Sequence, residues 1–167
     1  MKKKIILVQP QLGKYDMFIR DLPLSLLYAG ALVDRNKFDL LLIDQRVDLD
    51  WAECLVHELK NSDVLCVALT VMTGEPIHYA LKTSALVKEN SSAPTVWGGI
   101  HPTILSQQTL ENPLVDIVVR GKGEFVFRNL VLALADEADL NQVRGISFKD
   151  RKQTIVHNED CQEFDSD

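Results

Sequence analysis

Residues 93–103 of this chain read Ala93-Pro94-Thr95-Val96-Trp97-Gly98-Gly99-Ile100-His101-Pro102-Thr103. The apolar run from Thr95 to Trp97 predicts a buried strand, and the two glycines after it predict a sharp turn. Paired glycines let a ligand approach the backbone closely because no Cβ atom stands in the way. They are also typical of a strand-to-helix turn that needs glycine only for its dihedral angles. The stretch alone leaves both interpretations open.

Four further apolar runs are predicted as strands, and they alternate with amphipathic helices. The strands are predicted at 4–8, 38–43, 64–69 and 115–119, and the helices at about 21–33, 51–60, 75–88, 103–110 and 125–134. Parallel strands need helical crossovers, so this alternation predicts an α/β fold. We expect a Rossmann-like (flavodoxin-like) doubly wound sheet of five parallel strands in the order 2-1-3-4-5. Two short strand-like runs within about 145–157 predict a C-terminal β-hairpin appended after the sheet.

One domain accounts for most of the chain. A length of 167 residues suffices for one hydrophobic core, so residues 1–158 are predicted as a single domain that includes the hairpin. Residues 159–167 are acidic and lack hydrophobic periodicity, which is typical of a linker or a frayed end.

The composition excludes several classes of protein. Hydrophobic residues make up 46% and charged residues 25% of the chain, as in a globular protein, and the net charge of −6 counts against a general nucleic-acid binder. No apolar run approaches the roughly 18 residues of a transmembrane helix. The basic start Met1–Lys4 precedes an apolar run that Gln9 ends too early for a signal peptide. We therefore expect a cytoplasmic protein without a membrane span.

The chain has three cysteines, Cys54, Cys66 and Cys161, none in the C-x-x-C spacing of a metal site. An odd number is also a poor disulfide framework. Cys66 lies in a predicted strand and is interpreted as a small buried apolar residue. We expect no metal site and no iron–sulfur cluster in this chain.

The loops after strands one, three and four lie side by side in a sheet of this order, at its switch point. They cover residues 9–20, 70–74 and 98–101, and they predict a cleft for an elongated ligand between the first and third strands. Thr70 can hydrogen-bond such a ligand, while Gly98 and Gly99 let its bulk lie on the sheet edge. Thr70 also suits a helix cap or a strand end. Of the four histidines, only His101 lies next to the predicted cleft.

Known nucleotide-binding motifs are missing. No G-x-G-x-x-G follows the first strand, and no G-x-x-x-x-G-K-[ST] occurs anywhere in the chain. Gly121-Lys122-Gly123 is too short to be a phosphate loop and follows the wrong strand for a dinucleotide fingerprint.

Several motifs in a fixed order carry a resemblance to a known family. They are Leu22-Pro23-Leu24-Ser25-Leu26-Leu27-Tyr28, Asp44, Trp97-Gly98-Gly99-Ile100-His101-Pro102-Thr103, the run 116–124 with Arg120-Gly121-Lys122-Gly123-Glu124, and Gly145-Ile146-Ser147. Together they resemble the N-terminal cobalamin-binding domain of cobalamin-dependent radical S-adenosylmethionine (SAM) enzymes. This family includes methyltransferases and the anaerobic magnesium-protoporphyrin monomethyl ester cyclase. The resemblance covers nearly the whole chain, and its most specific part is the pair G-G-x-H-P-T and R-G-x-G-E.

The resemblance implies a set of cofactor-binding residues. Thr70 takes the place of the serine or threonine after the third strand, and Gly98 and Gly99 correspond to the glycine pair beneath the nucleotide tail. Residues 121–124 match the family pattern G-E-G-E, except that Lys122 replaces the first glutamate. The candidate cofactor-binding residues are Gln9, Leu12, Gly13, Thr70, Val71, Met72, Gly98, Gly99, His101, Gly121, Gly123 and Glu124.

The resemblance also implies what this chain lacks. A D-x-H-x-x-G motif is missing, since residues 9–13 contain no histidine, so cobalamin is expected to bind without a lower axial histidine. The family's C-x-x-x-C-x-x-C motif would follow the tail at 164–167. We therefore expect a fragment or isolated domain, with the [4Fe-4S] cluster and SAM bound only by a C-terminal radical SAM domain of the parent protein.

Two function classes remain open on the residues themselves. The first is a cobalamin-binding module that positions the corrinoid for methyl transfer or a related radical reaction and is not catalytic alone. The alternative is a stand-alone flavodoxin-like regulatory domain, or a nucleotide- or flavin-binding domain. A receiver-like switch would need acidic residues after strand one and an aspartate after strand three, where this chain has Gln9 and Thr70.

Overall fold

A computed structural model describes residues 2–17 and 21–161, and its centre is a seven-stranded sheet in the order β2-β1-β3-β4-β5-β6-β7. The strands are β1 Lys3–Gln9, β2 Phe38–Asp44, β3 Val64–Thr70, β4 Thr95–Gly98, β5 Ile117–Val119, β6 Ile146–Lys149 and β7 Ile155–His157. The pairs β1–β2, β1–β3, β3–β4 and β4–β5 are all parallel. The predicted α/β class and the order 2-1-3-4-5 are confirmed.

The hairpin is part of the sheet rather than an appendage to it. β6 pairs antiparallel with β5, with Val119 opposite Ile146, and β7 pairs antiparallel with β6. Without β6, the short strand β5 would present a row of unpaired backbone N–H and C=O groups at its edge. The hairpin therefore completes the hydrogen bonding of the last parallel strand.

Helices cover both faces of this sheet. They are α1 Leu24–Ala31, α2 Trp51–Asn61, α3 Glu75–Asn90, α4 Ile100–Ile104, α5 Ser106–Glu111 and α6 Gly123–Ala135, with 3₁₀ turns at Gly13–Met17 and Leu140–Gln142. The single helix predicted at 103–110 is two short helices, since Leu105, at ψ 45°, breaks the helical path between them. α1 begins later than predicted because its N-cap is Pro23.

The core has two layers, one on each face of the sheet. Side chains alternate along each strand, so neighbouring residues belong to different layers. On one face, called the α1/α6 face, the buried cluster includes Leu7, Leu26, Ala68, Val96 and Phe127. On the other, called the α2/α3 face, it includes Val8, Leu55, Leu69, Val87 and Trp97. Burial on both faces is what parallel strands require.

The first residues of the predicted linker contact the domain. The Gly145 N–H donates to the carbonyl of Glu159 at 2.7 Å, and Arg120 forms an ion pair with Asp160 at 2.8 Å. Residues 162–167 of that predicted linker, and residues 18–20 of the predicted loop 9–20, lie outside the described residues. Within the described ranges, no helix has the length and apolar character needed to cross a bilayer.

Candidate functional site

A cleft of about 210 Å³ opens on the α1/α6 face at the carboxyl ends of the central strands. Its sides are α1 and the start of α6, and its base is formed by β1, β3, β4 and β5. The residues on this face become small where the strands end: Ala68 and Thr70 on β3, and Gly98 on β4, which pairs with Thr70. The cleft therefore exists because large side chains are missing along two adjacent strands.

The two glycines after β4 have different roles. A Cβ added at Gly98 would meet nothing closer than 3.9 Å, so packing does not require glycine there. Gly99 has φ +98°, and a Cβ there would lie 2.9 Å from both the N and the O of Val71. Glycine at 99 thus serves the turn and its contact with the next loop. Glycine at 98 opens the cleft.

Hydroxyl groups and the start of α6 form the mouth of the cleft. Ser25 Oγ donates to Thr70 Oγ1 at 3.0 Å, which joins α1 to β3 across the opening. Thr103 Oγ1 donates to the Gly99 carbonyl at 2.8 Å and accepts from the Gly121 N–H at 3.1 Å. The segments that follow β4 and β5 are therefore fixed to each other beside the cleft.

Two consecutive residues after β2 hold the two ends of the loop that leads from β1 to α1. Gln45 accepts from the Gln11 N–H at 3.3 Å, and its own backbone N–H donates to the Gln9 carbonyl at 3.0 Å. Arg46 makes a two-pronged ion pair with Asp44, at 2.8 and 2.6 Å, and also donates to the Asp21 carbonyl at 2.8 Å. Hydrogen bonding to Asp44 raises the pKa of Arg46, although burial opposes the shift.

The structure brings six of the predicted site residues together at this cleft. Its lining includes Thr70, Gly98, Gly99, Gly121, Gly123 and Glu124, and does not include Gln9, Leu12, Gly13, Val71, Met72 or His101. Among the second group, Gln9 is buried with its amide donating to the Pro10 carbonyl at 2.9 Å, and Val71 is fully buried. Met72 is 55% exposed in the loop after β3.

His101 is directed to the neighbouring loop rather than to the cleft. Its Nδ1 lies 3.2 Å from Thr73 Oγ1, and its backbone N–H donates to the Val71 carbonyl at 3.1 Å. Burial lowers the pKa of His101, which favours the neutral form of the ring. These contacts fix the loop after β3 to the start of α4.

Sequence reasoning missed the wall that α1 contributes. Ser25, Tyr28 and Ala29 line the cleft together with Phe127 of α6. A signal for this wall was present: right-handed crossovers place the first and last helices of a 2-1-3-4-5 sheet on the same face. Strand alternation puts Ala68, Thr70 and Gly98 on one face as well.

All three cysteines are free thiols. Cys54 is exposed, Cys161 is half-buried, and Cys66 is fully buried, which raises the pKa of its thiol to about 12. Within residues 2–17 and 21–161, no three His, Cys, Asp or Glu side chains are grouped so that they could hold a metal ion.

Known proteins similar to this chain are considerably longer. It is 33% identical over 131 residues to an uncharacterized methyltransferase of Pyrococcus horikoshii, a match that covers 77% of this chain and 28% of that protein. It is 36% identical over 133 residues to the anaerobic magnesium-protoporphyrin IX monomethyl ester cyclase of Cereibacter sphaeroides, with 75% of this chain and 21% of the cyclase covered.

Solved structures share the fold. The radical SAM methyltransferase TsrM from Kitasatospora setae, solved with cobalamin and a [4Fe-4S] cluster bound, superposes with a TM-score of 0.79 at 19% identity, over 96% of this chain and 29% of that one. The cobalamin-dependent SAM radical enzyme OxsB, solved with aqua-cobalamin and SAM bound, gives 0.74 at 23% identity, over 96% and 22%. The model of the B12 binding domain family matches residues 22–131. The chain therefore belongs to the B12-binding domain family.

Proposed function

We propose that this domain holds the nucleotide tail of cobalamin in the cleft between α1 and α6. The observation that carries the proposal is the run of small residues Ala68, Thr70 and Gly98 at the carboxyl ends of β3 and β4. Ligands of open α/β sheets bind at these strand ends, next to the switch point between β1 and β3. The position, the shape and the family membership of the chain all support the same ligand.

The residues present fit such a ligand. Gly98 has room for a side chain and lacks one, so its missing Cβ leaves space that the fold does not use. Exposed apolar side chains also stand in the segments next to the cleft mouth, among them Leu24, Tyr28, Met72, Ile100 and Ile104. Exposed apolar groups at one end of a protein mark a binding surface. They suit the flat face and the methyl groups of a corrin ring, which are its apolar parts.

Thr70 and Glu124 have defined roles at the mouth of the cleft in this proposal. Thr70, whose oxygen accepts a hydrogen bond from Ser25, keeps its own O–H available to donate to the tail. Glu124 can accept from the hydroxyl and amide groups of the corrinoid, and the short loop Gly121–Gly123 lets the ligand pass close to the backbone. When bound, cobalamin supplies a cobalt centre that can carry a methyl group or support a related radical reaction.

The lower face of the cobalt has no histidine ligand from this chain in our proposal. His101 makes its contacts to Thr73 and Val71, and the cleft lining includes none of the four histidines. His57 and His78 are exposed on α2 and α3, and His157 is exposed on β7.

We infer that the bound corrinoid serves a radical SAM domain of the same parent protein. The chain spans only 28% and 21% of the two curated relatives named above. In this proposal the missing domain binds the [4Fe-4S] cluster and SAM, and the present domain contributes cobalamin to methyl transfer or a related radical reaction.

Equilibrium titration of the purified chain tests this function. Hydroxocobalamin should bind and co-elute with the protein in gel filtration, whereas cobinamide, which lacks the nucleotide tail, should bind at least tenfold more weakly. Flavin mononucleotide is the comparison ligand for the alternative class. Binding of the flavin without binding of cobalamin would support that alternative and contradict our proposal.

Two variants, one in the cleft and one remote from it, test whether cobalamin binds in the cleft. Gly98→Val should weaken cobalamin binding about a hundredfold, equivalent to about 2.7 kcal/mol, because its side chain occupies the cleft. The control Ala138→Val also creates a valine, at an exposed position beyond the far end of α6, and should leave the affinity unchanged. Circular dichroism and thermal unfolding establish that both variants are folded. Normal affinity in folded Gly98→Val would place the ligand elsewhere.

A further inference from the structure

The cleft changes in polarity with depth. Its inner part is formed by six side chains that are at most 6% exposed: Leu7, Leu26, Ala68, Val96, Val119 and Phe127. Hydroxyl and charged side chains, those of Ser25, Thr70, Lys122 and Glu124, occur only nearer the mouth, where the lining residues are half-buried or exposed. A ligand that fills the cleft thus meets an apolar interior and a polar opening.

The inner part offers no hydrogen-bonding partner among the described residues. None of the six inner side chains carries a polar atom. The backbone groups of β1, β3 and β4 at this depth are paired in the parallel ladders, in which Leu7 is opposite Ala68 and Ala68 is opposite Val96. A polar atom of a ligand buried at this depth would lose its hydrogen bonds to water without replacing them.

We propose that the inner cleft selects corrinoids by the polarity of their lower base, favouring an apolar benzimidazole over an adenine. This inference rests on the proposed function, in which the nucleotide tail enters the cleft. Both bases are flat bicyclic rings of similar size, so shape does not separate them. Adenine carries an exocyclic amine and additional ring nitrogens, and the six inner side chains cannot satisfy any of these groups.

Three corrinoids distinguish the selection from the binding itself. We expect cobalamin, which carries dimethylbenzimidazole, to bind at least tenfold more tightly than the analogue that carries adenine in its place. Cobinamide, without a nucleotide, provides the affinity of the corrin part alone. Equal affinity for cobalamin and the adenine analogue, both above cobinamide, would overturn the selection and retain the proposed function. If none of the three binds, the proposed function itself is wrong.

A pair of isosteric variants then assigns the selection to the inner cleft. Val96→Thr places a hydroxyl among the six inner side chains with almost no change in shape, and it should reduce the ratio of the two affinities at least threefold. Val67→Thr is the matched control: Val67 is equally buried, on the adjacent strand, but belongs to the α2/α3 face. It should lower stability to a similar degree and leave the ratio unchanged.

The ratio is measured only on protein with a native circular dichroism spectrum. Ala68→Ser, which adds a single oxygen to the inner cleft, provides a second variant in case Val96→Thr does not fold. An unchanged ratio in a folded inner-cleft variant, or an equal change in Val67→Thr, would show that the base is not read by these side chains.

Discussion

The two faces of the sheet differ although the same strands form both. On β3 and β4, Leu69 and Trp97 lie on the α2/α3 face, and their neighbours Ala68 and Gly98 lie on the α1/α6 face. Trp97 is 2% exposed, and its Nε1 donates to Ser84 Oγ of α3 at 3.0 Å. The cleft is therefore a consequence of alternating residue size. Loose packing of β3 and β4 cannot account for the cleft, because the other face of the same two strands is filled by large side chains.

The largest effect is expected when a large side chain is removed from the filled α2/α3 face. Trp97→Ala should lower the free energy of unfolding by about 3–5 kcal/mol, because it leaves a cavity and an unpaired Ser84 hydroxyl. Urea unfolding followed by circular dichroism measures the loss. Cobalamin affinity of the folded fraction should stay within about threefold of the wild type, less than 0.7 kcal/mol.

A large loss of affinity in folded Trp97→Ala would contradict the separation of the two faces. Leu55→Val, a milder truncation on the same face, provides a comparison that keeps most of the packing. Its expected cost is about 1 kcal/mol, typical of removing one buried methylene. Both variants should leave the ratio of cobalamin to cobinamide affinity unchanged.

The second test concerns the interactions that position α1, which forms one side of the cleft. Arg46 donates to the Asp21 carbonyl just before α1, while its neighbour Gln45 donates to Thr83 Oγ1 of α3 at 2.6 Å. Arg46→Met should lower stability by about 2 kcal/mol, the range for lost hydrogen bonds between charged groups. It should also weaken cobalamin binding several-fold, because the start of α1 carries Ser25.

Lys4→Met is the control for Arg46→Met. Lys4 pairs with Glu58 at the other end of β1, away from the cleft, so its loss also breaks an ion pair. Titration with cobalamin should show normal affinity for Lys4→Met. If Arg46→Met binds cobalamin normally as well, the pairing of Arg46 with Asp21 does not position the wall of the cleft.

The strand order, and the edge of the sheet at which the cleft opens, could both be predicted from the sequence, although the loop after β1 was wrongly expected to line the cleft. Unbroken apolar runs such as Ile5–Val8 favour a parallel strand buried on both faces, and the alternating helices supply the crossovers that such strands need. The glycines after β4 then mark the edge of the sheet where the cleft lies. The pairing of the hairpin with β5 was not predicted, because strands as short as β6 and β7, with four and three residues, do not specify their partner strand.

The individual roles of the site residues were harder to predict. Gly98 and Gly99 look alike in a sequence, and only the backbone dihedral angles and neighbouring atoms separate the one that leaves space from the one that packs against Val71. The same is true of His101, which follows the glycines but is turned towards Thr73 by its place in α4. Proximity in sequence to a cleft does not fix the direction of a side chain.

A smaller effect is expected from the hydroxyl pair at the mouth of the cleft. Thr70→Val and Ser25→Ala should each weaken cobalamin binding by about 1 kcal/mol, roughly fivefold, the net value of one neutral hydrogen bond. Since Ser25 donates to Thr70, the double variant should lose less than the sum of the two. Cobinamide affinity, measured in the same titrations, should not change. Additive losses would contradict the coupled pair.

Substitution of His101 is expected to have the smallest effect on cobalamin binding, because His101 contacts Val71, which belongs to the buried cluster of the α2/α3 face. Because burial lowers the pKa of His101 in the folded chain, the unfolded chain binds more protons below about pH 6.5. Stability of the wild type should therefore fall as the pH drops through that value. His101→Ala should lack this part of the pH dependence, which urea unfolding between about pH 5 and 8 measures.

The same variant tests whether the cobalt receives a ligand from this chain. His101 follows the glycine turn after β4, and its Nδ1 is already engaged with Thr73. We expect the visible spectrum of bound cobalamin to be identical in the wild type and in His101→Ala, with His78→Ala, an exposed site on α3, as the control. A shift of the cobalt bands in His101→Ala alone would mean that the ring turns away from Thr73 towards the cofactor. The proposed separation of the cofactor from the side chains of the α2/α3 face would then fail at this residue.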